Sequence, residues 1–299
     1  PLEKHIYSFH MCLFFFISGY LFKESLSLKS FVVKKSKTIM IPFVVWDFLS
    51  SLVAIIYGEG IRDTISKFFV VNGQLCWNAP IWFLLVLFIV EVLYAAILSI
   101  RNSKKSIIIT LIVSVILWIL FGSYAVMLKL NLVPLGLFFY ALGNMCKQLY
   151  EDKDLSKKAV IILIGIFGGA SILFGAILNI RISYTGGSFG NIYYCIVAGI
   201  SGVLFYWLVF KSLRSNKILC ELGQNSLIIM ATQYWFFQIY DVFSQKLFDI
   251  SVWNARSTLK AAVVTTVTIT LIMVGVSLFK RLFKNHDKIL NVAKYIGIR

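Results

Sequence analysis

The chain has 299 residues, of which 59% are hydrophobic and only 14% charged, with a mean hydropathy of +0.85. Soluble domains carry about 25% charged residues, so an ordinary soluble domain is excluded and an all-α polytopic membrane bundle is indicated. The net charge of +16 would suggest nucleic acid in a soluble protein. Here the Lys and Arg residues lie between apolar runs, where the positive-inside rule accounts for them without a nucleic-acid partner. A smaller role in holding an anionic, phosphate-bearing cofactor stays open.

Nine spans are predicted, at 6–22, 39–57, 81–100, 106–127, 131–148, 159–178, 191–212, 226–244 and 259–283. Strict period-2 alternation is rare in these runs, which argues against a β-barrel. The fourth and fifth spans are separated by little more than Lys129, which implies a tight hairpin. The connections alternate in basic content. Lys-rich 23–37 is followed by the more neutral 58–80, and the groups around Lys104, Lys157 and Lys211 alternate with lone Lys129 and Arg181. Basic loops face the cytoplasm, which places the C-terminus inside and Pro1 outside, in a membrane read as the bacterial inner membrane.

The expected division is a transmembrane domain over 1–284 and an interfacial cytoplasmic tail over 285–299. The tail sets Ile289, Val292, Ala293 and Ile296 on one helical face, against Lys288 and Asn291. Residues 183–190, SYTGGSFG, read as a plain outer loop. The five cysteines form no C-x-x-C pair, so neither a metal nor a disulfide framework is expected.

His10 is the only histidine that falls inside a predicted span. An ionisable group in an apolar run is a functional candidate, the bland alternative being a histidine bonded to a backbone carbonyl. At 3.6 residues per turn, His10, Phe14, Ile17 and Ser18 share a face that is expected to turn inward. Asp47 and Glu91 also lie near mid-depth of their spans. Each is expected to be protonated, paired or beside water, as a partner for His10 or simply as a helix–helix hydrogen bond. Lys34, Lys35 and Lys37 cluster before Ile41-Pro42, where they either hold phosphates or set topology. The chain has no G-x-S-x-G, H-E-x-x-H or Walker A motif, and no H-x-x-x-x-D box at His10. These absences argue against serine-hydrolase, zinc-protease, ATPase and peripheral glycerolipid acyltransferase chemistry.

Four stretches carry a resemblance. FHMCLFFFISG at 9–19 resembles an F-H-M-P-L-F-F-F-I-S-G segment, with Cys12 in place of proline. KKSK at 34–37 with Ile41-Pro42 resembles R-x-x-R running into I-P, with lysines for arginines. APIWFL at 79–84 and LGQNSLII at 222–229 resemble P-L-W-F-L and G-x-N-S-L-x-I segments, and all four occur in order. Together they are similar to the membrane-bound acyltransferase family 3, and within it to the fucose 4-O-acetylase-like branch.

The resemblance implies a ten-helix bundle that transfers an acyl group, usually acetyl, from cytoplasmic acyl-CoA to a sugar hydroxyl, without a metal. By the resemblance, Lys34, Lys35 and Lys37 would face the CoA phosphates, although lysine lacks the bidentate fork of arginine. The family's first helix, which carries an Arg and a His as catalytic groups, has no match here. A further helix upstream of Pro1 is therefore expected. Gln233 stands near the place of a histidine that often follows the G-x-N-S-L segment.

The reading is an O-acyltransferase with His10 as base or positioning group. Ser18, Asp47, Trp82, Glu91, Asn225, Ser226 and Gln233 support it or line the acceptor path, with Phe83 beside Trp82 at the acceptor mouth. The expected partners are membrane lipid, acyl-CoA and a sugar or glycan acceptor. The rival readings are a transporter or flippase of a lipid-linked sugar and a non-catalytic membrane subunit.

Overall fold

Side-chain caps start several of the helices. Ser103 and Ser156 accept hydrogen bonds from the backbone N–H groups of Ser106 and Ala159, each at 3.2 Å. Asn191 does the same for Tyr193 and Asn216 for Ile218, at 3.0 and 2.9 Å. Each satisfies a donor that the first turn leaves unpaired. A computed structural model describes residues 2–23, 27–56, 58–69, 78–124, 126–151, 156–184, 186–213, 216–248 and 258–298. Among the described residues the architecture is helical, and the only extended pairing is one isolated bridge.

In chain order the helices are α1 (Leu2–Tyr20), α2 (Leu28–Lys35), α3 (Ile41–Ile56), α4 (Ile61–Phe69), α5 (Trp82–Ile100), α6 (Lys104–Phe121) and α7 (Val133–Glu151). They continue as α8 (Lys157–Ser171), α9 (Ile192–Ser212), α10 (Lys217–Gln224), α11 (Ser226–Phe248), α12 (Thr258–Leu282) and α13 (Asp287–Ala293). Seven described helical segments are long and apolar enough to cross a membrane. The sequence leads to nine, and the difference lies in α1 and α11. Both reach span length at 19 and 23 residues. However, α1 opens on Glu3, Lys4 and His5, and α11 carries Gln233, Gln238, Asp241 and Gln245. Two helices that were not anticipated, α4 and α10, are too short to span.

The lysines at 34–37 are not in a loop. A π-helical turn, Ser36–Met40, joins α2 to α3 into one helical run of 29 residues. The tight hairpin expected at Lys129 is present. Leu128 and Lys129 take left-handed φ values of 56° and 54°, a costly conformation for side chains with a Cβ. The amide of Asn131 holds the turn by donating to the Gly122 carbonyl at 2.8 Å.

The chain forms two compact units, residues 1–35 with 85–214 and residues 36–84 with 215–299. In the first, α1 packs on α7, on α9 and on the π turn Ile172–Ile177. Lipid removes the hydrophobic drive between helices, so close packing of small residues must supply the attraction. Glycines stand at these contacts. A Cβ on Gly143 would strike the Phe16 backbone, one on Gly19 the Tyr140 backbone, and one on Gly202 the ring of Phe9. In the second unit, the 3-10 turn Lys294–Ile296 after α13 packs on α3. The Trp46 indole donates to the Ile296 carbonyl at 3.0 Å. Residues 285–299 are part of the second unit.

Candidate functional site

Helix α1 begins at Leu2, so it contains His5 as well as His10. His5 is hemmed in on both ring nitrogens. Its Nδ1 lies 3.5 Å from the Ser171 hydroxyl and its Nε2 3.5 Å from the Tyr206 hydroxyl, with the Phe9 ring centroid at 5.1 Å. His10 differs. Its Nδ1 lies 3.0 Å from the Ile6 carbonyl. A carbonyl only accepts, so Nδ1 carries a proton, and in the neutral ring Nε2 presents the lone pair. Among the described residues Nε2 has no hydrogen-bond partner. The backbone contact of the bland reading is thus present, and in the neutral ring it leaves Nε2 as the basic nitrogen.

Aromatic rings flank His10. Tyr7 lies edge-on at 5.0 Å and Tyr184 at 6.2 Å between centroids. Arg181 stacks on Tyr7 at 4.3 Å from its centroid and pairs with Glu3 at 2.7 Å. Tyr184 comes from the stretch read as a plain loop. That stretch is instead a hairpin closed by Ser183 and Ser188, with backbone bonds of 2.8 and 3.1 Å. Gly187 and Gly190, at φ 66° and 62°, let it double back. The Tyr184 side chain is buried and donates to the Ser8 carbonyl at 3.0 Å. That uses its one proton, so the Cys12 thiol donates to the Tyr184 oxygen, 3.1 Å away.

The expected inward face of α1 is corrected. The packed residues are Ser8, Phe9, Cys12, Phe15, Phe16 and Gly19. Phe14 and Ile17 are 47% and 42% exposed, while His10 and Ser18 are half-buried. The close approaches at Gly19 of α1, Gly143 of α7 and Gly202 of α9 select this face for packing. The stripe of His10, Phe14 and Ile17 is left outward.

Glu91 is buried and does not partner His10. The Lys35 ammonium reaches both of its oxygens, at 2.8 and 2.9 Å, and also lies 5.4 Å from the Phe31 ring centroid. Lys35 therefore neutralises a buried carboxylate, while Lys34 and Lys37 are exposed. In the second unit, Asp47 is 1% exposed and its Oδ2 has no hydrogen-bond partner. Trp82 and Phe83 are buried rather than at an open mouth. Asn225 is the joint between α10 and α11, where its amide donates to the Glu221 carbonyl at 2.9 Å. Ser226 is exposed and Gln233 half-buried on α11. Among the described residues no three His, Cys, Asp or Glu side chains come together as a metal site requires.

The first unit thus holds a positioned histidine and a buried Lys–Glu pair, within a helical membrane frame. Compared with known families, the chain matches the description "Acyltransferase domain", the acyltransferase 3 family, over residues 4–279. The chain belongs to the acyltransferase 3 family. No curated protein and no solved structure matches it.

In this acyltransferase the Lys35–Glu91 pair makes a prediction of its own. Removing one partner of a buried pair leaves an uncompensated charge, at a cost of about 3–5 kcal/mol. Lys35→Met should lower thermal stability in detergent by roughly that amount. Glu91→Gln in the same chain should restore most of it, and melting curves of the single and double variants check this. An unchanged Lys35→Met midpoint would show the pair to be dispensable.

Proposed function

We propose that this membrane acyltransferase moves an acyl group, acetyl by preference, from cytoplasmic acyl-CoA to a hydroxyl of a surface or exported sugar. This is the chemistry of the fucose 4-O-acetylase-like branch, set in a bacterial inner membrane with the C-terminus cytoplasmic. The observation that carries the site assignment is the His10 imidazole, pinned through Nδ1–H to Ile6 and free at Nε2. In the proposed step Nε2 takes the proton of the acceptor hydroxyl. The oxygen attacks the thioester carbonyl, the carbon–sulfur bond breaks, and the CoA thiolate leaves and is protonated.

Exposed Lys34 and Lys37 suit the CoA phosphates as point charges. Lys35, occupied by Glu91, contributes little to them. The test is release of free CoA by membranes supplied with acetyl-CoA and a hexose. A flippase would move sugar without releasing CoA. Lys34→Gln with Lys37→Gln should raise KM for acetyl-CoA about 3–10-fold, the scale of two exposed charge contacts. The remaining KM should also depend less on salt. An unchanged KM, with inverted topology in an accessibility assay, would assign the lysines to orientation alone.

A further inference from the structure

Within the second unit, α12 is long and apolar enough to span a membrane over Lys260–Leu282. Its last turn carries Lys280 and Arg281. A short turn at 283–286 then joins α12 to α13. The Phe283 amide donates to the Phe279 carbonyl at 3.0 Å, and the His286 amide to the Phe283 carbonyl at 2.9 Å. The Phe279 and Phe283 ring centroids are 4.8 Å apart. Between the end of α12 and α13 lies a groove of about 300 Å³. Phe279, Ile289, Val292, Ala293 and Ile296 line it, and Lys288 is its charged member.

The tail is anchored away from this groove. The Trp46 indole donates to the Ile296 carbonyl at 3.0 Å. Gly297, at φ 100°, lies so close to Leu227 and the Ile228 amide that a side chain there would strike them. The groove side stays open, with Val292 63% and Ile289 38% exposed. An apolar slot at the end of a spanning helix faces the boundary between headgroups and acyl chains.

The charges around it select the occupant. Residues 280–294 hold Lys280, Arg281, Lys284, Lys288 and Lys294 against one carboxylate, Asp287. Lys294 bonds to the Asn291 side chain at 2.9 Å. Arg281, Lys284 and Lys288 are exposed, and among the described residues they make no ion pair. An apolar slot with unpaired cations beside it suits an amphiphile that joins an acyl chain to a phosphate. Long-chain acyl-CoA shares that chemistry. A phospholipid suits this place better, because it presents its phosphate at the level where α12 ends without leaving the bilayer. The volume is at the lower end for ligand sites, enough for part of one chain.

We propose that the groove between α12 and α13 binds one anionic phospholipid, with an acyl chain against Phe279, Ile289 and Val292 and its phosphate on Lys288. Arg281 and Lys284 add positive charge at the same helix end. The site lies wholly in the second unit and does not depend on the acyl-transfer reading. Basic residues that only set topology or complement the end of α12 would not discriminate among lipids and would not need the groove.

The experiment is native mass spectrometry of the full chain in detergent, titrated with phosphatidylglycerol, phosphatidylcholine or palmitoyl-CoA. Each Lys or Arg near an anionic headgroup is worth about a factor of five. The wild type should therefore bind phosphatidylglycerol at least ~10-fold more tightly than phosphatidylcholine. Lys288→Gln alone should weaken phosphatidylglycerol about five-fold. Adding Arg281→Gln and Lys284→Gln should bring it to the level of phosphatidylcholine. Ile289→Asn with Val292→Asn, both at exposed positions, should weaken both lipids.

Equal affinity of the wild type for the two lipids overturns the proposal without any variant. So does phosphatidylglycerol binding that survives Ile289→Asn with Val292→Asn, as a diffuse basic surface would give. Tighter binding of palmitoyl-CoA than of phosphatidylglycerol overturns it too, and assigns the groove to acyl-CoA.

Discussion

Replacing His10 with alanine should reduce acyl transfer about 100-fold while the protein accumulates in the membrane as before. The magnitude is the low end of what a positioned acid–base group contributes. Accumulation should persist because His10 sits on the outward stripe of α1, beside Phe14 and Ile17 that are largely exposed. Its ring contributes edge contacts to Tyr7 and Tyr184, but no helix packs through it as one packs through Gly19. The measurement is initial-rate CoA release at saturating acetyl-CoA, normalised to protein. His5→Ala serves as the contrast. Both His5 nitrogens are already engaged by Ser171 and Tyr206, so its loss should act on stability first. Wild-type turnover in His10→Ala would remove His10 from the chemistry.

The largest effect on folding is expected at Gly143. A side chain there would enter the Phe16 carbonyl and the Tyr20 amide, both backbone atoms of α1. Backbone cannot rotate away as a side-chain tip can, so α1 and α7 would have to separate along the contact. Overpacking of a rigid contact typically costs 1–3 kcal/mol and occasionally more. Separation of two helices that pack through small residues belongs at the upper end. Gly143→Leu should therefore yield little monodisperse protein by size-exclusion chromatography. Gly169→Leu is the control, because nothing lies within 4 Å of a Cβ at that position. Equal behaviour of the two variants would show that α1 and α7 do not depend on their close approach.

Much of the fold was legible because lipid-spanning segments must be long and apolar, and that property is local. Seven such segments fall where the apolar runs are. Helix ends were less legible. The lysines of 34–37 look like a loop by composition, yet they continue the helix through a π turn, since lysine is a good helix former and nothing breaks the run before Pro42. The site was legible in its residue types and not in its pairings. His10, Asp47 and Glu91 stand out as ionisable groups in apolar runs. That Glu91 finds Lys35 across 56 residues, or that Tyr184 finds Ser8 across 176, is a tertiary fact that no window of sequence contains. His5 falls outside the apolar run because Glu3 and Lys4 push the apparent start of the span inward. Two signals were available for the hairpin at 183–188. Tyr184 and Phe189 are large aromatics in a glycine-rich connection, where a solvated loop has little use for them.

The Tyr184 contact has a consequence for biogenesis. The α1 helix is made early, but the groups that complete its packed face arrive with α7, α9 and the hairpin. At roughly 5–20 residues per second of synthesis, the 172 residues between Cys12 and Tyr184 take about 10–35 s to emerge. During that interval the newborn α1 sits in the insertion machinery or the bilayer with Cys12 lacking its native partner, Gly19 open along its flank, and the charges of Glu3 and Lys4 at its end. Its residence must be tolerated by whatever surveys unassembled membrane segments. A ribosome stalled anywhere before the hairpin would leave a nascent chain whose central helix is permanently incomplete, a natural substrate for membrane quality control.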